Sequence, residues 1–278
     1  MRCVVYVLLT LAFAPSAFAD DLSWLTAPHP AAVPIVNGWA GFFLGGQLSY
    51  SSGRGDFSNT TQDPIAYALR DTTLEADVAP SSWPVLGKAY DSRVGFGGFV
   101  GYNTQYEKLV LGVEANYDQA DLSLAAPNYP ITRVTSAGSN TYLVNISGSG
   151  TASDIDFGTL RARAGWALGN FLPYGFAGVA LGHTDVSIMT SVSGQQNPPA
   201  SGPCLPTSTP ACLPFAFTTN TGRGSEWLYG FTLGAGLDVA LTRNVFLRTE
   251  YEYVQFAPVS GGLQIDINTV RVGAAFKF

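Results

Sequence analysis

The chain ends in Thr269-Val270-Arg271-Val272-Gly273-Ala274-Ala275-Phe276-Lys277-Phe278, where apolar residues alternate with small or polar ones. In an extended strand successive side chains point to opposite faces, so every second residue lies on the same face. One face of this strand is apolar throughout and carries Val270, Val272, Ala274, Phe276 and Phe278. An apolar face opposite a polar one is typical of a strand between lipid and the interior of a transmembrane barrel.

Seven earlier stretches alternate in a similar way. Together with the last one, the predicted strands cover 41–50, 94–106, 109–121, 156–168, 172–183, 227–241, 245–256 and 265–278. The stretch 172–183 is small and apolar on both faces, so its phase is assigned from its neighbours. We therefore predict an all-β fold, an eight-stranded antiparallel transmembrane up-and-down β-barrel.

The connections between these strands alternate in length. The longer ones are 51–93, 122–155, 184–226 and 257–264, and the tight turns are 107–108, 169–171 and 242–244. Barrels of the bacterial outer membrane have long external loops and short periplasmic turns, so both chain ends are predicted to be periplasmic. Aromatic residues recur near the strand ends, as expected where a barrel crosses the membrane interfaces. A soluble β-sandwich also alternates, but it would rarely turn an apolar face outward on every strand.

The N-terminus predicts export. Residues 1–19 combine a single cation, Arg2, with an apolar run at 4–13 and the small-residue site Ala17-Phe18-Ala19, a pattern typical of a signal peptide. Residues 20–38 follow as a Pro-rich periplasmic segment, and 39–278 form the predicted barrel. The compartment predicted by this arrangement is the cell outer membrane.

Charge and cysteine content narrow the function further. Loss of Arg2 with the signal peptide takes the formal net charge from −6 to −7, which argues against a nucleic-acid binder. Cys204 and Cys212 are then the remaining cysteines. In an oxidising compartment they predict a disulfide that staples a loop, rather than a metal site, since neither His29 nor His183 lies near them in sequence.

Charged residues on the inward faces of the predicted strands form the candidate site. They are Glu114, Arg161, Arg163, Asp238, Arg248, Glu250, Glu252 and Arg271. Eight strands enclose a space just wide enough for side chains, so we predict that these charges pair across the lumen and fill it. Burying them unpaired would be costly. The alternative is a narrow, charge-lined pore that makes the protein a small porin for ions or small solutes.

Catalysis is not predicted. Glu250 and Glu252 share a strand face, but Arg248 on that face favours two ionised carboxylates, whereas an acid/base pair needs one of them protonated. His183 lies near Asp185 and Ser187 at a polar strand end, which is more often solvated than catalytic. We therefore expect neither an enzyme nor a cofactor.

Several segments resemble the Omp25/Omp31/RopB family of alphaproteobacterial outer-membrane proteins, which have an OmpA-like eight-stranded barrel. The segments are WAGFFLGG at 39–46, LGVE at 111–114, FGTLRARAGW at 157–166, LPY at 172–174 and VRVG at 270–273. The resemblance implies an integral outer-membrane protein with a role in envelope integrity and surface properties. A second alternative is a surface adhesin or haem-binding protein, with 51–93 and 184–226 as the binding loops.

The predicted partners follow from this setting. They are outer-membrane lipids and lipopolysaccharide around the barrel, and peptidoglycan bound through the N-terminal segment. The final strand, with Phe276 and Phe278, resembles the signal by which the barrel assembly machinery recognises its substrates. We expect the barrel to be a monomer.

Overall fold

A computed structural model of the protein describes residues 38–200, 203–207, 209–259 and 261–278. The predicted signal peptide and, apart from Gly38, the predicted Pro-rich segment lie outside these residues. Both therefore stay predictions, as does attachment of that segment to peptidoglycan.

The described residues form nine strands. They are β1 (Gly41–Asp56), β2 (Lys88–Tyr106), β3 (Leu109–Ala125), β4 (Ile131–Ala137), β5 (Asn140–Trp166), β6 (Phe171–Gln196), β7 (Leu213–Ala240), β8 (Val245–Phe256) and β9 (Gln264–Lys277). Two short helices, α1 (Gln62–Leu69) and α2 (Thr73–Val78), and a 3-10 turn at Pro80–Ser82 lie between β1 and β2. No helix among the described residues is long and apolar enough to cross a membrane.

Eight of the strands close into one antiparallel ring. Each strand is hydrogen-bonded to the next in the order β1, β2, β3, β5, β6, β7, β8 and β9. The last strand, β9, pairs back to β1, with Val272 opposite Leu48. β4 stands outside the ring and pairs only with the far end of β5. The predicted eight-stranded antiparallel barrel is confirmed.

The outward face of the ring is apolar. Phe42, Leu44 and Leu48 on β1 are 63%, 57% and 60% exposed, and Val100, Val113, Leu160, Val179, Leu233, Leu247 and Val272 continue the same band around the barrel. An exposed apolar band of this size requires lipid, not water. The end with the short connections at 107–108 and 241–244 is called the turn end, and the opposite end the outer end.

The strands are longer than the sequence analysis predicts. β5, β6 and β7 contain 27, 26 and 28 residues, so much of 122–155 and 184–226 is strand rather than loop, and β4 was not predicted. Two register shifts, which add a residue to β5 and to β7, account for part of the difference. One lies between Ser153 and Asp156 of β5, and the other lies where Val186 and Ile188 of β6 pair with β7. A bulge adds one residue and reverses the alternation beyond it, so the pattern does not run continuously along the strand.

The interior is divided into layers. A turn-end layer contains Trp39, Phe43, Phe99, Val110, Leu172, Tyr174, Phe176, Ala240, Phe246 and Ala275. An outer apolar layer is built around Phe57, Leu122, Phe157, Val186, Phe256 and Ile267, among others. A third cluster, the cap, lies where α1 and α2 cover the extended strands and includes Ile65, Leu69, Leu74, Val144 and Val192. Charged side chains lie between the first two layers.

Gly178 on β6 provides a test of how tightly the interior is packed. A Cβ added there would lie 2.1 Å from the carbonyl oxygen of Leu160 and 2.6 Å from Cα of Arg161. We expect Gly178→Ala to destabilise the barrel by about 1–3 kcal/mol, because overpacking forces neighbouring atoms apart. The measurement is urea unfolding of the protein in lipid nanodiscs. Gly175→Ala on the lipid-facing side is the matched control, since its nearest neighbour would lie 3.7 Å away. Equal stability of the two variants would contradict the prediction.

Candidate functional site

The structure brings all eight predicted lumen charges into one layer. β3 supplies Glu114, β5 supplies Arg161 and Arg163, β7 supplies Asp238, β8 supplies Arg248, Glu250 and Glu252, and β9 supplies Arg271. Each is at most 4% exposed. Their strands place them there because inward positions alternate with lipid-facing ones. We call this set, with Asp118, the ionic layer.

Arg161 lies at the centre of the ionic layer. Its Nε donates to Oε1 of Glu114 at 3.0 Å, and its Nη2 also contacts that oxygen. Nη2 donates to Oε2 of Glu250 at 2.7 Å, and Nη1 donates to Oε1 of Glu252 at 3.2 Å. One guanidinium therefore links β5 to β3 on one side and to β8 across the lumen.

Arg248 makes the second set of links. Its Nε and Nη2 donate to the two oxygens of Asp238 at 2.9 and 3.1 Å, the two-pronged geometry that suits a guanidinium and a carboxylate. Its Nη1 reaches Oε2 of Glu114 at 2.8 Å. Arg163 contacts the same two carboxylates, at 2.6 Å from Asp238 and 3.3 Å from Glu114. The Arg248–Glu114 bond crosses the barrel, because β3 and β8 are not neighbours in the ring, whereas Asp238 and Arg248 lie opposite each other on neighbouring strands.

Asp118 was missed by the sequence analysis as a member of this layer. Its side chain is buried and forms an ion pair with Arg271, which also pairs with Glu252. Its carboxylate accepts a hydrogen bond from Nε2 of Gln47 at 3.0 Å. The signal was present, since Asp118 lies four residues after Glu114 on β3 and therefore faces inward. Tyr174 was also missed, and its hydroxyl donates to Glu250.

Aromatic rings of the turn-end layer lie against the guanidinium groups. The guanidinium carbon of Arg163 is 3.7 Å from the ring centre of Tyr174, that of Arg248 is 4.0 Å from Phe99, and that of Arg161 is 4.1 Å from Phe176. Cations are attracted to the faces of aromatic rings, more strongly where water is excluded. These rings therefore stabilise the buried arginines from one side while the carboxylates hold them from the other.

The ionic layer contains four guanidinium groups and five carboxylates. With apolar side chains above and below it, this layer can cross-link the barrel wall and exclude water. The described residues contain no group of three or more His, Cys, Asp or Glu side chains arranged to hold a metal ion.

The other predicted residues lie away from this layer. Cys204 and Cys212 form a disulfide within the loop that connects β6 to β7, and their Cα atoms are 5.3 Å apart. Phe276 and Phe278 lie at the turn end with ring centres 5.1 Å apart, and the N–H of Phe278 donates to the carbonyl of Phe42 at 2.9 Å. Their role as an assembly signal stays a prediction. His183 contacts the Ser225 hydroxyl beside the Trp227 ring.

Removing one charge from the ionic layer tests its contribution to stability. Glu114→Gln leaves Arg161, Arg163 and Arg248 with a neutral partner, so we expect a loss of about 3–5 kcal/mol in the free energy of unfolding. Urea titration in lipid nanodiscs, followed by tryptophan fluorescence, measures it. Glu107→Gln in the exposed turn between β2 and β3 is the matched control and should change little. A loss below 1 kcal/mol for Glu114→Gln would contradict a stabilising network.

Comparison with known proteins agrees with this geometry. The family described as "Outer membrane protein beta-barrel domain" matches residues 7–278. A 25 kDa outer-membrane immunogenic protein of Brucella ovis is 25% identical, over 96% of this chain and 93% of the relative. A 22 kDa outer membrane protein of Rhizobium leguminosarum is 27% identical, over 89% of this chain and 82% of the relative.

Among solved structures, the attachment invasion locus protein Ail of Yersinia pestis aligns with 86% of this chain and 99% of its own, at 13% identity and a TM-score of 0.34. The resemblance to the Omp25/Omp31/RopB family is confirmed by the family match and by the Brucella and Rhizobium relatives. The chain therefore belongs to the outer membrane protein beta-barrel domain family and is an integral protein of the cell outer membrane.

Proposed function

We propose that the protein is a non-conducting barrel whose role is structural: it stabilises the outer membrane and presents a folded region at the cell surface. The observation that carries the proposal is the ionic layer, in which Arg161 and Arg248 bind carboxylates on opposite walls of the barrel. Apolar layers adjoin it toward both ends. A filled interior of this kind suits a permanent component of the envelope better than a route for solutes.

The alternative of a small porin would need charges that line a water-filled path. Here each of the same charged side chains is at most 4% exposed, and the charges pair with one another. Each of these charges is held in at least one ion pair, and separating the pairs to admit a passing ion would be costly. The geometry therefore supports a closed lumen over a conducting one.

Reconstitution into planar bilayers tests the closed lumen. We expect no stable conductance steps from purified protein whose folding has been checked by heat-modifiable gel migration. Stable single-channel steps in the wild type that change in size in Glu250→Gln would overturn the proposal and favour the porin, because Glu250 lies in the ionic layer.

A test in cells addresses the envelope role. We expect deletion of the gene to increase sensitivity to deoxycholate and to vancomycin severalfold, because both agents must cross the outer membrane. The wild type and Glu107→Gln should restore resistance, while Glu114→Gln should restore it only in proportion to the folded protein present. Unchanged sensitivity, together with slower uptake of a small solute, would contradict a structural role.

Further proposals concern partners and catalysis. The protein contacts membrane lipids, and we propose that lipopolysaccharide covers its outward face in the outer leaflet and that the assembly machinery reads Phe276 and Phe278. The exposed aromatic ring of Phe278 supports the latter. We propose a monomer with no catalytic role. The adhesin or haem-binding alternative would use 51–93 and 184–226, whose described residues include α1, α2, the 3-10 turn and the outer ends of β1, β2, β6 and β7.

A further inference from the structure

The outer ends of β5, β6 and β7 form a sheet beyond the lipid-facing band. β6 pairs with β5 as far as Gln196 opposite Tyr142, and with β7 as far as Gln196 opposite Leu213. The inner face of this sheet is apolar, and α1 and α2 cover part of it through Leu69 and Leu74. Toward β7 the helices leave part of that inner face open, along 213–217.

A groove of about 320 Å³ lies between the junction of α1 with α2 and this open part of the sheet. Its walls include Leu69 and Leu74 on the helix side and Tyr142, Val192, Phe215 and Phe217 on the sheet side. Phe217 is opposite Val192, so both side chains lie on the same face. Phe215 lies over Gly194, where an added Cβ would be only 2.6 Å from the tip of its ring. Because Gly194 has no Cβ, the sheet leaves room for the Phe215 ring at this position.

The chemistry of the groove restricts its ligand. None of the residues that line it is charged, so an ionised ligand would lose its hydration without gaining a partner. Three aromatic rings line the sheet side, and aromatic pairs gain stability from stacked or edge-on contacts. Polar groups are few: the Tyr142 hydroxyl, which lies 3.3 Å from the Thr73 hydroxyl, and the side chains of Thr72 and Gln196. The volume is near the lower limit for small-molecule sites, roughly 300–1,000 Å³.

We propose that this groove binds a small uncharged aromatic molecule that carries one or two hydrogen-bonding groups. The ring lies between Leu69 and Phe217, and its polar group reaches Gln196 or Thr72 at the rim. The Cys204–Cys212 disulfide supports the site from outside the groove. It closes the loop that ends immediately before Leu213, the first residue of β7, and the Cys212 N–H donates to the carbonyl of Leu205 at 3.3 Å. The loop thereby fixes the start of the strand that forms one wall.

Binding of 1-naphthol to the full protein in lipid nanodiscs tests the proposal. Equilibrium dialysis against empty nanodiscs of the same composition removes the contribution of partition into lipid. We expect saturable binding at one site per protein. The charged analogue 1-naphthalenesulfonate should bind at least tenfold more weakly, because the groove offers no cation to pair with it.

Two matched variants on α1 locate the site. Ala68 lines the groove, whereas Ala66, two residues earlier, does not. Ala68→Leu fills the groove and should weaken 1-naphthol binding at least tenfold, while Ala66→Leu should leave it unchanged. Both substitutions keep a residue that favours helix, and heat-modifiable migration confirms that each barrel is folded.

Three results would each overturn the proposal. The first is no saturable binding above that of empty nanodiscs by folded wild-type protein. The second is equal affinity in the Ala68→Leu and Ala66→Leu variants. The third is binding of the sulfonate as tight as that of 1-naphthol. None of these results bears on the closed lumen, because the groove and the ionic layer share no residue.

Discussion

The burial of Arg161 is the constraint on which the rest of the barrel depends. A guanidinium does not release its proton in a protein, so Arg161, buried at 2% exposure, must be neutralised by partners from the surrounding walls. Glu114, Glu250 and Glu252 meet that need only if β3 and β8 lie at the right height relative to β5. A slip of one residue on any of these strands would turn the charge toward lipid. The ionic layer therefore fixes strand register as well as filling the interior.

The same constraint accounts for the small and aromatic residues around the layer. Gly178 faces Arg161 across the β5–β6 pair, where its missing Cβ leaves room for the arginine stem. Phe176, two residues earlier on the same face, lies against the guanidinium. Small residues thus make space where the arginines leave the wall, and rings occupy the volume on the turn-end side. The alternation of glycine and aromatic residues in the strands follows from packing long cations in a narrow barrel.

The sequence predicts the parts of the fold that lie within lipid and misses much of what lies outside. Between Trp166 and Leu160 on β5, apolar residues must face lipid, and inward positions are free to be charged, so alternation is strong. Beyond the band this contrast reverses: on β6, Asp185 and Ser187 face outward and Val186 faces inward. Bulges then shift the phase of β5 and β7. The same alternation predicts that Asp118 faces inward. It does not predict which arginine each carboxylate binds, because that depends on distances across the barrel.

Along β6 and β7 the surroundings change from lipid to water, and this change explains why the groove lies beyond the lipid band. Within lipid the outward face needs no cover, and the inward face is filled by the opposite wall of the barrel. Above the band the three long strands lose that opposite wall, and their apolar inner face must be covered by other parts of the chain. α1 and α2 contain 8 and 6 residues, too few to cover it completely, so Phe215 and Phe217 are left as one side of a cleft. The groove is therefore a consequence of long strands whose apolar inner face is covered by short helices.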